Sequence, residues 1–250
     1  MRFLEELQMN ALPSLQTVLY DGWVIRFADG YSNRANSVNP IYRSERDVNE
    51  KIAKCEEMFR KKGLKPVFKI TPFVNPENLD EILAAKGYEI MLTTSVQTLD
   101  LINYGKPEGI SGIKHGDLHI KHGDLDSEWY ESYCNFNNMS EDKRVIYRKM
   151  LDNLIPESFY TTMFLKDKII GCGMAVIEKG FLGIFDITVR EDQRNKGYGR
   201  QLVTALINHG LNYGVKTAYL QVMTNNFPAK HLYEKLGFEE EYKYYYRIKR

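Results

Sequence analysis

Between Phe181 and Leu211 an alternating strand-like run passes through a basic, glycine-bearing loop into a helical apolar stripe, an order that few folds accommodate. Phe181 to Val189 reads as the strand. Leu202, Val203, Leu206, Ile207 and Leu211 form the stripe at i, i+4 spacing, and Gly214 closes the helix. Glycines at 197 and 199 let the main chain come close to a ligand, and the unpaired amides of a helix N-terminus bind anionic oxygens. Arg190, Arg194, Lys196 and Arg200 add positive charge there. The segment predicts a phosphate site on a strand, loop and helix.

The neighbouring residues exclude two phosphate ligands. A P-loop continues Gly-Lys-Ser/Thr, whereas Arg200 and Gln201 follow Gly199. A dinucleotide fingerprint needs a third glycine where Leu202 stands and an acidic residue ~20 positions on, where Gln221 stands. Nucleic acid and anionic membrane surfaces are disfavoured because Lys and Arg (34) nearly balance Asp and Glu (33). No stretch of ~18 apolar residues can span a bilayer, and Met1 to Glu6 lacks a secretory pattern, so a cytoplasmic location is expected.

Arg194-Asn195-Lys196-Gly197-Tyr198-Gly199 matches the R/Q-x-x-G-x-G/A loop of the GNAT superfamily of N-acetyltransferases. A second element, Asn226 to Phe238 (NFPAKHLYEKLGF), is similar to that superfamily's N-x-x-A-x-x-L-Y-x-x-x-G-F ending. The resemblance covers about Ile113 to Arg250 and thins upstream of Phe181.

It implies acetyl-CoA as cosubstrate, its pyrophosphate on the amides of Arg194, Asn195, Lys196, Gly197, Tyr198, Gly199 and Arg200. The pantetheine arm would lie along Ile187, Thr188 and Val189 and touch Asn226. A neutral amine would attack the thioester, with an N–H near Ile187 stabilising the oxyanion. Tyr233 is the expected general acid, since a phenol of pKa ~10 is protonated at neutral pH and can protonate a thiolate. Asp186 is the candidate base, with a structural role equally open and Glu239, Glu240 or water as substitutes.

The expected fold is α+β, with two GNAT-like domains, each a mixed, mostly antiparallel sheet flanked by helices. Residues 1–105 would form a degenerate first domain and 110–250 the catalytic one, joined by the Gly/Pro-bearing segment 103–109. In the first half a hairpin is expected with arms Gly22–Phe27 and Ser32–Val38, then a helix capped by Ser44. Leu79 to Tyr88 (LDEILAAKGY) echoes Ala229 to Phe238 (AKHLYEKLGF) at an offset of 150 positions, an internal repeat or a chance likeness of two Gly-terminated helices. Leu83 and Pro76 stand where Tyr233 and Asn226 would be, and the first half's loop, Asn39 to Asp47, lacks glycine. That half should not bind CoA.

Arg34, Asn36 and Ser37 resemble a polar stretch of acetyltransferases with such a first half and are candidate acceptor contacts, loop hydrogen bonding being the alternative. Ser127 and Ser140 are expected helix caps. The repeated Ile-Lys-His-Gly-Asp-Leu at 113–118 and 120–125 gathers His115, His119, His122, Asp117 and Asp124 without a recognised ligand spacing, and no metal is expected. Cys55, Cys134 and Cys172 read as buried thiols. The expected acceptor is a small-molecule amine, with a protein or peptide amine, or a non-catalytic acyl-CoA sensor, as alternatives. The chain itself would be a monomer or homodimer.

Overall fold

Asp21 and Gly22 both take left-handed φ (44° and 80°), which turns the chain tightly enough to pair Gln16–Tyr20 (β1) with Trp23–Phe27 (β2). This hairpin at Asp-Gly 21–22 precedes the one expected around Asp-Gly 29–30. Residues 28–37 form a loop closed by Asn36, which bonds the loop's own backbone, and the expected second arm is confined to its end, where the short strand Val38–Asn39 (β3) pairs antiparallel with β2, Val38 opposite Ile25. The computed structural model describes residues 1–105 and 117–249; His115 and positions 106–109 of the expected linker lie outside them.

The other elements are α1 (Arg2–Ala11), α2 (Val48–Lys61), β4 (Val67–Ile70), α3 (Leu79–Ala85), β5 (Glu89–Asp100), β6 (Leu118–Gly123), α4 (Ser127–Phe136) and α5 (Glu141–Asp152). There follow β7 (Glu157–Leu165), β8 (Lys168–Glu178), β9 (Phe181–Val189), α6 (Tyr198–Gly210), β10 (Thr217–Met223), α7 (Phe227–Lys235) and β11 (Glu239–Ile248). Two helices are capped by aspartates rather than by the serines nearby. Asp47 accepts from the amides of Asn49 and Glu50, and Asp126 from that of Trp129. Ser44 instead donates to Asp21, and Ser127 is already helical.

Two compact units result. The first comprises Met1–Val96, Asp142–Ile155 and Glu241–Arg250, the second Gln97–Glu141 and Pro156–Glu240. Two segments of the second half therefore fold with the first unit, for tertiary reasons that a linear reading does not see. Met150 of α5 packs with Leu12, Ala28 and Ala35, and β11 pairs antiparallel with β4, Tyr245 opposite Ile70. In the first unit β1, β2, β3, β4 and β11 lie side by side in that order. Trp23, Ile25, Phe59, Phe68, Leu79 and Leu83 fill its core.

In the second unit β10, β9, β8, β7 and β6 are neighbours, all antiparallel except the β10–β9 pair. The stripe Leu202, Val203, Leu206 and Ile207 is wholly buried against this sheet, with Leu182, Ile184, Ala218 and Leu220. All three cysteines are buried, and none of them is in a disulfide. The echo between the halves extends to backbone geometry. Phe238 N donates to Tyr233 O and Gly237 N to Glu234 O, as Tyr88 N donates to Leu83 O and Gly87 N to Ala84 O.

β9 contains a bulge. The register with β8 passes from Thr188 opposite Cys172 to Phe185 opposite Met174, so Asp186 and Ile187 together face Gly173. Asp186 takes a left-handed φ of 55° to allow it. Leu182 and Ile184 face α6, and beyond the bulge Ile187 and Val189 do so; without the extra residue, parity would drive Asp186 into that core. Gly173 provides the room, since a Cβ there would lie 2.7 Å from Ile187 Cδ1 and 3.0 Å from Leu206 Cδ1. We expect Gly173→Ala to lower stability by about 1–3 kcal/mol in urea unfolding. A wild-type midpoint would show that the bulge has no such steric demand.

Candidate active site

At the end of β9 the ladder closes with Arg190 N donating to Ile170 O (2.8 Å), and a single 3-10 turn at Glu191–Gln193 leads into the loop. Asn195 and Gly197 then take left-handed φ, 62° and 81°. Gly197 is the N-cap of α6 and brings no side chain to its amides; the first helical bond is Gln201 N to Gly197 O (3.2 Å). The amides of Tyr198, Gly199 and Arg200 therefore have no acceptor within the helix and point out of its N-terminus. A Cβ on Gly197 would meet nothing within 4 Å, so the approach to these amides is open. Gly199 has a different duty: a Cβ there would lie 3.0 Å from Leu232 Cδ1, so its bareness lets α6 and α7 pack.

The basic residues of the loop divide their work. Arg190 is held by both oxygens of Asp192 (2.7 and 3.0 Å), which neutralises it and keeps that carboxyl at about 2. Arg194 donates from Nε to Val189 O (3.1 Å), and Lys196 reaches Asp192 O (3.0 Å) and Gln193 Oε1 (3.1 Å). These two brace the loop through neutral oxygens and keep their charge beside the amides. The whole arrangement suits a pyrophosphate.

The strand side fits an extended arm. β9 and β10 pair in parallel over Phe181–Gly183 and Thr217–Tyr219; among the described residues the ladder goes no further, while Ile184, Phe185, Thr188 and Val189 stay paired with β8 on their other edge. A splayed pair of strands leaves a backbone edge for amide groups of a ligand. Asn226 caps α7, its Oδ1 accepting from Ala229 N (3.3 Å), which leaves the amide NH2 as the end able to serve an arm. Tyr233, one residue past Leu232, is 8% exposed. Burial pushes its phenol up to about 12, so it is protonated throughout the neutral range.

Asp186 and Ile187 diverge, and the bulge rather than the strand's alternation separates them. Ile187 packs toward α6, whereas Asp186 is half-buried and accepts a hydrogen bond from Tyr133 Oη of α4 (3.1 Å). Tyr133 is stacked on Trp129 (centroids 5.3 Å, interplanar 5°), and Trp129 Nε1 donates to Gly173 O (3.0 Å). Sequence reasoning missed both rings; their i, i+4 spacing in α4 was the available signal.

In the first unit Asn36 takes the amides of Ala28 (2.7 Å) and Gly30 (3.0 Å) on Oδ1 and donates to Ser32 O (3.0 Å). Ser37 is fully buried, Asn39 Nδ2 donates to its Oγ, and Arg34 O accepts from Arg26. Asn36 and Ser37 thus hold the 28–39 loop together. The loop before α2, which corresponds to the loop before α6, is already supplied with an anion. Asp21 accepts from the amides of Glu45 and Arg46 and from Ser44 Oγ, and pairs with Lys51 (3.1 Å). Those bonds hold its carboxyl well below the usual range, Arg46's amide first. His119 stacks on Phe164 and His122 bonds Thr161; among the described residues no three metal-ligating side chains come together.

Residues 125–238 match the family described as acetyltransferase (GNAT) family. The chain carries a GNAT acetyltransferase domain. Residues 1–104 match the family described as probable histone acetyltransferase Rv0428c C-terminal. The chain is 25% identical to the uncharacterized N-acetyltransferase YobR of Bacillus subtilis, over all of this chain and 98% of that one. Its fold is similar to a GCN5-related N-acetyltransferase from Kribbella flavida (TM-score 0.74, 13% identity, 99% and 95% of the two chains). A tandem GNAT protein from the clavulanic acid biosynthesis pathway is similar at TM-score 0.66 (14% identity, 98% and 87% covered). The GNAT family uses acetyl-CoA and acts on amines, and no described helix here is long and apolar enough to cross a membrane.

Gly197→Ala places a side chain at φ 81°, at a cost of about 1–2 kcal/mol to the loop's conformation. CoA affinity by calorimetry should fall by roughly tenfold. Asp21→Asn, in the first unit, should leave it unchanged. Equal affinity in Gly197→Ala would remove this loop from the cofactor site.

Proposed function

We propose that this chain transfers the acetyl group of acetyl-CoA to the primary amine of a small molecule, at a single site built from β9, α6 and α7 of the second unit. The observation that carries the reading is the Gly197 cradle at the N-terminus of α6, continuous with the end of β9. The near-balance of charge, and the placing of Asp186 beneath the buried aromatics of α4, support a small acceptor over an extended polypeptide.

In this reading the amides of Arg194 to Arg200 hold the pyrophosphate and the edge of Ile187 to Val189 holds the arm, with Asn226 beside it. Asp186 takes a proton from the bound ammonium; the freed nitrogen attacks the thioester carbonyl and forms the C–N bond, while an N–H near Ile187 stabilises the oxyanion. As the C–S bond breaks, Tyr233 donates to the departing sulfur. A phenol at about 12 is a weaker acid than a thiol near ~8.5, so full transfer is uphill. Tyr233 therefore acts first as a hydrogen-bond donor to the sulfur, and solvent restores any proton it gives up.

Thiol release from acetyl-CoA should be followed with a panel of polyamines, amino acids, amino sugars and a peptide bearing a free N-terminus. Turnover of at least one small amine is expected. Turnover of the peptide alone would assign a macromolecular acceptor, and tight CoA binding without turnover on any amine would make the protein a sensor. Tyr233→Phe should lower kcat by about 100-fold and spare CoA affinity. Unchanged kcat would take Tyr233 out of the acid role.

A further inference from the structure

The bulge in β9 costs a non-glycine residue in the left-handed region and a break in the ladder, and a glycine at 186 would take that φ without penalty. The position nevertheless holds an aspartate. What the distortion achieves is visible in where the side chain goes. It leaves the α6 core and meets Tyr133 Oη at 3.1 Å, on a ring whose plane is fixed by the Trp129 stack. Trp129 is itself pinned through Nε1 to Gly173 O, the residue facing the bulge, so one helix grips both strands at the irregularity.

We propose that Tyr133 is a positioning residue for acetyl transfer: it orients the Asp186 carboxylate toward the acceptor amine, so that α4, through its Tyr133 and Trp129, shapes the acceptor side of the site. This rests on the reading of Asp186 as the base. A carboxylate on a lone strand residue has two free torsions, and its proton-accepting lone pair needs a fixed direction to meet an ammonium; a phenol O–H on one oxygen supplies that direction. Tyr133 itself exchanges no proton and forms no bond to substrate. Its ring is 9% exposed, which suits an anchor.

The test is a double-mutant cycle on the full chain, read as thiol release from acetyl-CoA with whichever amine of the panel turns over fastest. Tyr133→Phe should lower kcat by roughly 10- to 100-fold, leave KM for acetyl-CoA unchanged, and retain the wild-type stability in urea unfolding to within about 0.5 kcal/mol. In an Asp186→Asn background the same change should add less than about twofold, because the two side chains act as one unit. If the two losses multiply independently, or Tyr133→Phe is fully active while Asp186→Asn is not, the positioning role is overturned and the base survives. If Asp186→Asn is fully active, or no amine turns over, both fall. Tyr133→Met, apolar and of similar reach, serves the same cycle should Tyr133→Phe not fold.

Discussion

Gly173 and the two residues that face it set the geometry on which the rest of the second unit depends. A sheet strand has a period of two, and one inserted residue exchanges its faces. Upstream of Asp186 the even positions Leu182 and Ile184 enter the α6 core; downstream the odd positions Ile187 and Val189 do. The same insertion keeps a carboxylate out of an apolar core, where it would need a partner or lose its charge. It also carries the strand's end into the loop with the phase that lets Val189 and Leu232 meet around the bare Gly199. The site's acidic side chain, its strand edge and its helix N-terminus thus share one backbone irregularity.

The two halves use related local geometry to opposite ends. Before α6 a glycine caps the helix with nothing but backbone, and the amides are offered outward. Before α2 the corresponding amides are satisfied from within: Asp47 caps the helix, while Asp21 occupies the loop with three donors and a lysine. An anion-binding nest binds whichever anion is nearest at the highest effective concentration, and a tethered carboxylate outcompetes a dissolved phosphate. Absence of glycine from Asn39 to Asp47 pointed to a silent loop. The structure shows Asp21 on those amides, and it comes from a hairpin turn that the sequence reading did not include.

That omission shows what kind of information a linear reading holds. The strand Phe181–Val189, the α6 stripe and the α7 ending are local patterns of spacing and glycine stops, and they are legible within a residue or two. Between residues 16 and 39 the chain makes two antiparallel pairings, β1–β2 through the Asp-Gly at 21–22 and β2–β3 through the long loop that holds the one at 29–30, and Asn36, whose bonds close that loop, shortens the arm expected there. The assignment of α5 and β11 to the first unit is likewise tertiary, carried by Met150 in one core and by the β11–β4 ladder. The bulge was hidden because Phe181 to Val189 is apolar on both sides of it; the lone aspartate in that run was the one mark it left.

A physical asymmetry between donor and acceptor explains which part of the site could be read. In the proposed site phosphate would be met by backbone amides, and a left-handed N-cap that stays bare favours glycine, so Gly197 announces it. The acceptor side is built from side chains that meet across elements. Tyr133 and Asp186 are 53 positions apart, and neither is unusual in its own segment: a tyrosine on an amphipathic helix and an aspartate in a strand. Their pairing depends on the bulge, the bulge depends on Gly173, and Trp129 ties Gly173 back to the helix that carries Tyr133. Each link is a contact and none is a pattern. On the proposed reading, a chain states its acyl donor in six consecutive residues while the residues proposed for the acceptor side are distributed over elements that only folding assembles.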